Sequence, residues 1–173
     1  LATALGTQSL YLAALGGWEG DKILRNPDNN PNRRGAMLAA GKALAPLSSL
    51  LEAVAADKID AVVVLGSLCA ESAEKLAPLR EISTIVLASH HGPLSEVASV
   101  LIPVAGHHEA SGTFVNAAGI AQRANAAVPP ANGVRPAWET LAALARALNK
   151  DLGFTQLSEL RAGLGPVGTE ARI

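Results

Sequence analysis

Ile59-Asp60-Ala61-Val62-Val63-Val64-Leu65-Gly66, then Ile82 to Ala88, then Val100-Leu101-Ile102-Pro103, are three short apolar runs in close succession. The first is continuously β-branched, which suits a strand buried on both faces, and parallel sheets supply that setting. Glu71–Leu79 between the first two runs reads as a helix, and Leu94–Val97 as a shorter one before the third. This β–α–β–α–β order predicts an α/β fold, a Rossmann-like parallel sheet over 60–66, 83–88 and 99–103 with helices on both faces.

Upstream, Leu47, Leu50, Leu51, Val54 and Ala55 follow the spacing of one buried helical face. They predict a helix over Ser49–Asp57, opened by the capping-box pattern Ser49-Leu50-Leu51-Glu52. A further helix is expected over about Ala36–Ala45. Before it, Asp21 to Arg34 is dense in Asn, Asp and Pro, which favour turns, so 16–35 is expected to be a loop. Leu1–Leu15 lacks a basic leading region and reads as a helix and not a signal peptide.

Downstream, Thr113-Phe114-Val115 and Ile120-Ala121-Gln122 flank Asn116-Ala117-Ala118-Gly119, the pattern of a β-hairpin with Gly119 at positive φ. Asn116 is expected to fix the turn with its amide. Ala124–Val134 reads as a linker. Pro136 is expected at the first position of a C-terminal helix, where its missing N–H does no harm. Trp138, Leu141, Leu144, Ala145 and Leu148 would form that helix's buried stripe. A short helix within Thr155–Leu164 precedes a Gly/Pro-rich end. The expected organisation is one α/β domain over 1–173, with its core in 36–150 and a tail in 151–173. The first residue is Leu1, which suggests a piece of a larger subunit.

Composition narrows the function classes. Fourteen Lys+Arg against 15 Asp+Glu give a net charge of −1, so nothing marks a nucleic-acid footprint. At 49% hydrophobic the chain is too apolar for disorder. No run approaches the 18 uncharged apolar residues of a membrane span. One cysteine, Cys69, excludes an internal disulfide and a cluster held by four cysteines of this segment.

Candidate chemistry lies at the strand ends. Gly66 and Ser67 close the first strand, and Ser89 and His90 follow the second. In an open α/β sheet these are the crevice positions where ligands bind. Neither the dinucleotide nor the P-loop glycine fingerprint is present, nor a G-x-S-x-G elbow. His90-His91 and His107-His108 have no zinc spacing. Cys69 stands at a helix entry, where a thiol pKa can fall, although a small buried hydrophobe is the plainer reading. Glu109 stands alone before the hairpin, so a carboxylate bonded to N–H groups of the following turn is expected.

Ala98-Ser99-Val100-Leu101-Ile102-Pro103, followed by Glu109-Ala110-Ser111-Gly112-Thr113-Phe114-Val115-Asn116-Ala117-Ala118-Gly119-Ile120-Ala121-Gln122, resembles a signature of the molybdopterin oxidoreductase superfamily. Asn32-Arg33-Arg34-Gly35-Ala36 with Gly41, and Arg135-Pro136-Ala137-Trp138-Glu139, resemble flanking stretches of the same proteins. Within the superfamily the likeness is nearest to the large iron–sulfur subunits of NADH:quinone oxidoreductase, respiratory complex I. Formate dehydrogenase catalytic subunits are the runner-up.

The resemblance implies a formate dehydrogenase-like domain in which Glu109, Gly112, Thr113, Asn116, Gly119 and Gln122 are structural motif residues. It implies that Gly66, Ser67, Ser89 and His90 occupy a cofactor-binding position. The family's acidic residues there are missing, and Ser99, Ala118 and Ile120 replace a family Asp, Glu and Arg. No catalytic residue, metal or cofactor is therefore expected in this segment, and molybdopterin is not expected. Fe–S clusters would sit in the rest of the parent subunit. The implied partners are the other subunits of the respiratory complex and the remainder of its own chain, with neither nucleic acid nor direct membrane insertion. The implied location is the peripheral arm, on the cytoplasmic side.

Overall fold

The structure is a computed structural model that describes residues 1–14, 17, 19–21, 23–68 and 70–163. Strands β1 (Tyr11–Leu12) and β2 (Ala45–Pro46) form a small parallel pair, with helix α1 (Arg33–Ala40) between them. Helix α2 (Leu47–Ala55) leads to β3 (Ala61–Leu65), and α3 (Ala73–Leu76) with a 3-10 turn (Ala77–Glu81) leads to β4 (Ser83–Ala88). A 3-10 turn at Pro93–Glu96 then precedes β5 (Val100–Pro103). These three strands make one parallel sheet in the order β3-β4-β5, flanked by helices, with Ala61 opposite Ser83 and Ile85 opposite Val100. The three apolar runs thus form the parallel sheet expected of them.

The core forms where α2, α3 and the two 3-10 turns meet one face of the sheet. Leu47, Leu50 and Val54 of α2 pack with Leu76, Leu79, Leu94, Val97 and the alternate β4 residues Val86 and Ala88. Val86, Leu76, Leu79 and Leu94 are fully buried. A strand alternates its side chains between faces. Val86, Leu87 and Ala88 are all buried, so both faces of β4 are filled. The first apolar run differs from expectation here. β3 is an edge strand of the sheet, and its two ends, Ala61 and Leu65, are exposed. The strand buried throughout its C-terminal half is β4.

Several local expectations shift by physical cause. Leu1–Leu15 is not a helix among its described residues: a single 3-10 turn spans Thr3–Leu5, Gly6 ends it at φ +75, and Tyr11–Leu12 pairs as β1. α1 begins at Arg33 and stops at Ala40, where Gly41 takes the left-handed conformation at φ +65. α2 starts two residues earlier than Ser49, directly after Pro46, so Ser49 lies inside the helix and does not cap it. Pro136 is the N-cap of α4 (Ala137–Ala147), one position before the expected one, with an extended ψ of 146°. The buried stripe of α4 is carried by Ala142 and Ala145, while Leu148 lies past the helix end and is exposed. Helix α5 (Leu157–Ala162) falls within the expected stretch.

The expected hairpin is present. β6 (Gly112–Val115) pairs antiparallel with β7 (Ala121–Ala124), Thr113 opposite Arg123, as a sheet of its own. Gly119 sits at φ +86. The Asn116 side-chain oxygen accepts N–H bonds from Ala118 and Ile120, both at 3.0 Å.

Candidate functional site

The C-terminal ends of β3 and β4 bring the four strand-end residues together. The Gly66 N–H donates to the Leu87 carbonyl at 2.8 Å, carrying the β3–β4 ladder one step past β3. Gly66 then turns at φ +106 and Leu68 at φ +51, so Ser67 stands between two residues of positive φ. Such a turn is open to glycine and costly for leucine. Ser67 is buried, and its Oγ lies 2.9 Å from His90 Nε2. His90 Nδ1 lies 3.0 Å from Ser89 Oγ. Ser67, His90 and Ser89 thus form one hydrogen-bonded row that ties the end of β3 to the end of β4. His90 and Ser89 are exposed, so the row runs from the interior to solvent.

A cleft of about 690 Å3 is lined by Leu12 of β1 with Ala13 and Ala14 after it, by Leu68, Ala70 and Glu71 after β3, and by Asn30–Arg33 with Ala36. It opens between the segments that follow β1 and β3, strands of two separate sheets. Its walls are largely aliphatic. Cys69 falls outside the described residues. Among the described residues no group of three His, Cys, Asp or Glu side chains is placed to hold a metal ion. His107 and His108 contact each other edge-on at 5.0 Å.

The motif residues around the hairpin make these contacts. Glu109 caps backwards and not forwards: its carboxylate accepts the Gly106 N–H at 2.8 Å, closing the turn that precedes it. The Gly112 carbonyl accepts from Arg161 Nη2 at 2.9 Å, and Thr113 Oγ1 from Arg161 Nε at 3.3 Å, so α5 is tied to β6. Gln122 sits opposite Phe114 in the ladder. The other edge contact comes from the Asn-rich loop. Asn32 Oδ1 accepts the Val115 N–H at 2.8 Å and its Nδ2 donates to the Thr113 carbonyl at 3.4 Å. Arg34 donates to the Ala117 carbonyl. The sequence marks Asn32 and Arg34 as part of a family-like stretch but not these partners, and Arg161 not at all; neither charge nor periodicity marks a contact so distant along the chain.

A three-stranded parallel sheet with a strand-end crevice, followed by a separate hairpin carrying Gly112-Thr113-Phe114-Val115-Asn116, defines an α/β architecture with an appended hairpin. The chain belongs to the molybdopterin oxidoreductase family, whose model matches residues 12–147. It is similar to the mitochondrial NADH-ubiquinone oxidoreductase 78 kDa subunit of Candida albicans, 34% identical over 84 residues, which are 48% of this chain and 12% of that protein. It is also similar to the NADH-quinone oxidoreductase G subunit of Rickettsia felis, 36% identical over 81 residues, 46% of this chain and 12% of that protein. A third relative is the Neurospora crassa mitochondrial 78 kDa subunit, 32% identical over 78 residues, 44% of this chain and 10% of that protein. The matched stretch therefore spans about 12% or less of the length of these relatives.

Proposed function

We infer that this chain is a scaffold section of the iron–sulfur subunit of an NADH:quinone oxidoreductase, serving electron transfer from NADH to quinone while holding no redox centre itself. The observation that carries this reading is the likeness to the bacterial G subunit and to the mitochondrial 78 kDa subunits of NADH oxidoreductases within the matched family region. On this reading Fe–S clusters belong to the rest of the parent subunit, and the partners are the remainder of the polypeptide and the other subunits of the complex. The expected place is the peripheral arm on the cytoplasmic side. Among the described residues no helix is long and apolar enough to cross a membrane. The whole 1–173 chain is taken as one α/β domain with its core in 36–150.

The strand-end donor set supports a cofactor-free role for this section. A pterin dinucleotide offers hydroxyl and amino donors that a carboxylate would hold by charge-assisted bonds. Gly66, Ser67, Ser89 and His90 supply no carboxylate, and the three side chains bond to one another across the crevice. This set does not fit the dinucleotide of the molybdenum relatives. We treat the four positions as the former cofactor crevice, now bridged by its own side chains.

The second reading is the pterin-dinucleotide-binding part of a formate dehydrogenase-like molybdoenzyme, favoured by the family match alone. Elemental analysis of the purified parent protein, with a fluorescence assay for oxidised pterin, separates the two. The scaffold reading expects iron without stoichiometric molybdenum, tungsten or pterin. About one molybdenum and a pterin per chain would establish the second reading in its place.

A further inference from the structure

We propose that Asn132 is a self-modifying site: the backbone nitrogen of Gly133 displaces its side-chain amide, and water converts the product to aspartate and isoaspartate. The reaction needs an asparagine side chain and a following N–H that are both free, in backbone loose enough to bring them together. Asn132 and Gly133 are exposed and lie in a turn closed by the Val134 N–H, which donates to the Ala131 carbonyl at 3.0 Å. Gly133 takes φ +82 at the third position of that turn, a conformation glycine fills at no steric cost. The space around it is open, since a Cβ there would meet nothing within 4 Å.

The other seven asparagines of the chain each lack one of these conditions. Asn26 and Asn30 precede Pro27 and Pro31, which have no N–H. The N–H that follows Asn29 donates to Asp28 Oδ1 at 3.1 Å, and the one that follows Asn125 donates to Ser111 Oγ at 3.0 Å. The N–H after Asn149, that of Lys150, donates to the Ala145 carbonyl at 2.8 Å. Asn32 and Asn116 hold their side-chain oxygens on hairpin N–H groups, at Val115 and at Ala118 and Ile120. Among the described residues neither the Asn132 carboxamide nor the Gly133 N–H has a hydrogen-bond partner.

The chemistry balances with water alone as co-reactant. The Gly133 nitrogen gives its proton to solvent base and forms a bond to Cγ of Asn132. The Cγ–Nδ2 bond breaks, and ammonia leaves with a proton from solvent, which closes a cyclic imide. Water then adds to either imide carbonyl carbon, and the bond from that carbon to the ring nitrogen breaks. Opening at Cγ gives aspartate. Opening at the main-chain carbon gives isoaspartate, which routes the chain through Cγ and lengthens it by a single carbon. Either product carries a new negative charge. Further along, Arg135 bridges Val104 and its carbonyl accepts the Ala105 N–H at 2.9 Å, so the added carbon enters the strap between α4 and the residues after β5. The site stands on this turn and not on the scaffold reading, and the failure of either leaves the other untouched.

The test is incubation of the full-length parent protein in its native state, in mildly alkaline heavy-oxygen water, followed by peptide mass spectrometry of every asparagine. A free peptide of sequence Pro130-Ala131-Asn132-Gly133-Val134-Arg135 gives the unrestrained rate. The expected result is loss of the Asn132 amide ahead of the other seven, with heavy oxygen in the product. Its rate should lie within roughly tenfold of the peptide rate, as for backbone whose local opening costs close to nothing. Methyl transfer to the incubated protein by an isoaspartyl methyltransferase should be lost in Asn132→Gln, whose longer side chain closes the ring poorly. An Asn132 rate below that range, earlier loss at another asparagine, or methyl transfer undiminished in Asn132→Gln overturns the proposal. The comparison of wild-type protein with free peptide decides the matter even where the variant does not fold.

Discussion

Asn32 and Val115, 83 positions apart, are joined by a 2.8 Å bond from the Val115 N–H to the Asn32 side-chain oxygen. The same carboxamide reaches the Thr113 carbonyl, so one side chain serves an N–H and a C=O on the outer edge of β6, as a neighbouring strand would. An asparagine before a helix ordinarily caps it, accepting from the second or third helical N–H. Asn32 adopts φ +58 instead and makes no such cap bond. A Cβ placed on Gly35 would overlap the Asn32 oxygen, so glycine keeps that oxygen where the hairpin needs it.

This pairing gives the first expected outcome. Asn32→Ala should cost about 1–3 kcal/mol, because it leaves strand polar groups short of partners. Gly35→Ala should destabilise by displacing the same oxygen. The double variant should cost less than the sum of the singles, since both act through one contact. Urea unfolding of the four proteins measures it; strict additivity would separate Gly35 from the clamp.

The hairpin turn supplies the second. A Cβ added at Gly119, which sits at φ +86, would meet only ordinary contacts, the nearest being the Arg34 guanidinium carbon at 3.7 Å. The cost of a side chain there is therefore backbone strain and not crowding. Gly119→Val should destabilise by about 1 kcal/mol or more, since β-branched residues resist positive φ. Gly119→Asn should cost less, because asparagine tolerates that region. Thermal melting of the three proteins tests the order, and equal midpoints would remove the strain account.

The parts of this molecule legible in its sequence are those set by local chemistry. Three apolar runs at short spacing specify a parallel sheet, and Asn116 with Gly119 specifies the turn, because neighbours along the chain supply both cause and effect. The edge position of β3 is not legible, because a β-branched run reports hydrophobicity and not place in a sheet; β4 takes the centre. Nor is the start of α2, since Pro46 ends the preceding strand and leaves Leu47 free to begin the helix, which puts Ser49 inside. At the candidate site, adjacency to strand ends identifies Gly66, Ser67, Ser89 and His90. The row that joins three of them depends on strand register, which places Leu65 beside Leu87, and no single-chain pattern states that register.

The Asn-rich loop carries a pH-dependent feature. Asp21 Oδ1 accepts N–H bonds from Ile23, Leu24 and Arg25 at 2.7, 2.6 and 3.0 Å. The Arg25, Leu24 and Ile23 bonds favour the charged carboxylate and lower its pKa from 3.8. A depressed folded pKa means that this turn's contribution is present above the unfolded value and lost as pH falls through the folded one. NMR titration should therefore give Asp21 a midpoint below 3.8, with the three amide signals moving together at that midpoint. Asp21→Asn should abolish the coupled movement. A midpoint at or above 3.8 would remove the turn as the cause.

Thr84 offers the sharpest separation of hydrogen bonding from packing. It is fully buried at the start of β4, and its hydroxyl donates to the Leu79 carbonyl at 2.7 Å. Its own N–H donates to Ser99 Oγ at 3.1 Å, and the Ser99 N–H returns to the Thr84 carbonyl at 2.8 Å. Thr84 thus joins the middle of the Ala77–Glu81 turn to β4 and to the residue before β5. Valine has nearly the shape of threonine but no donor, so Thr84→Val keeps the packing and strands a buried carbonyl, costing about 1–3 kcal/mol. Serine keeps the donor and loses one methyl, worth about 0.8 kcal/mol of burial. If the hydroxyl governs, Thr84→Val is the less stable variant; if packing governs, the order reverses. Urea unfolding with equal m-values reads the difference directly, and a valine variant as stable as wild type would show that the Leu79 bond contributes nothing.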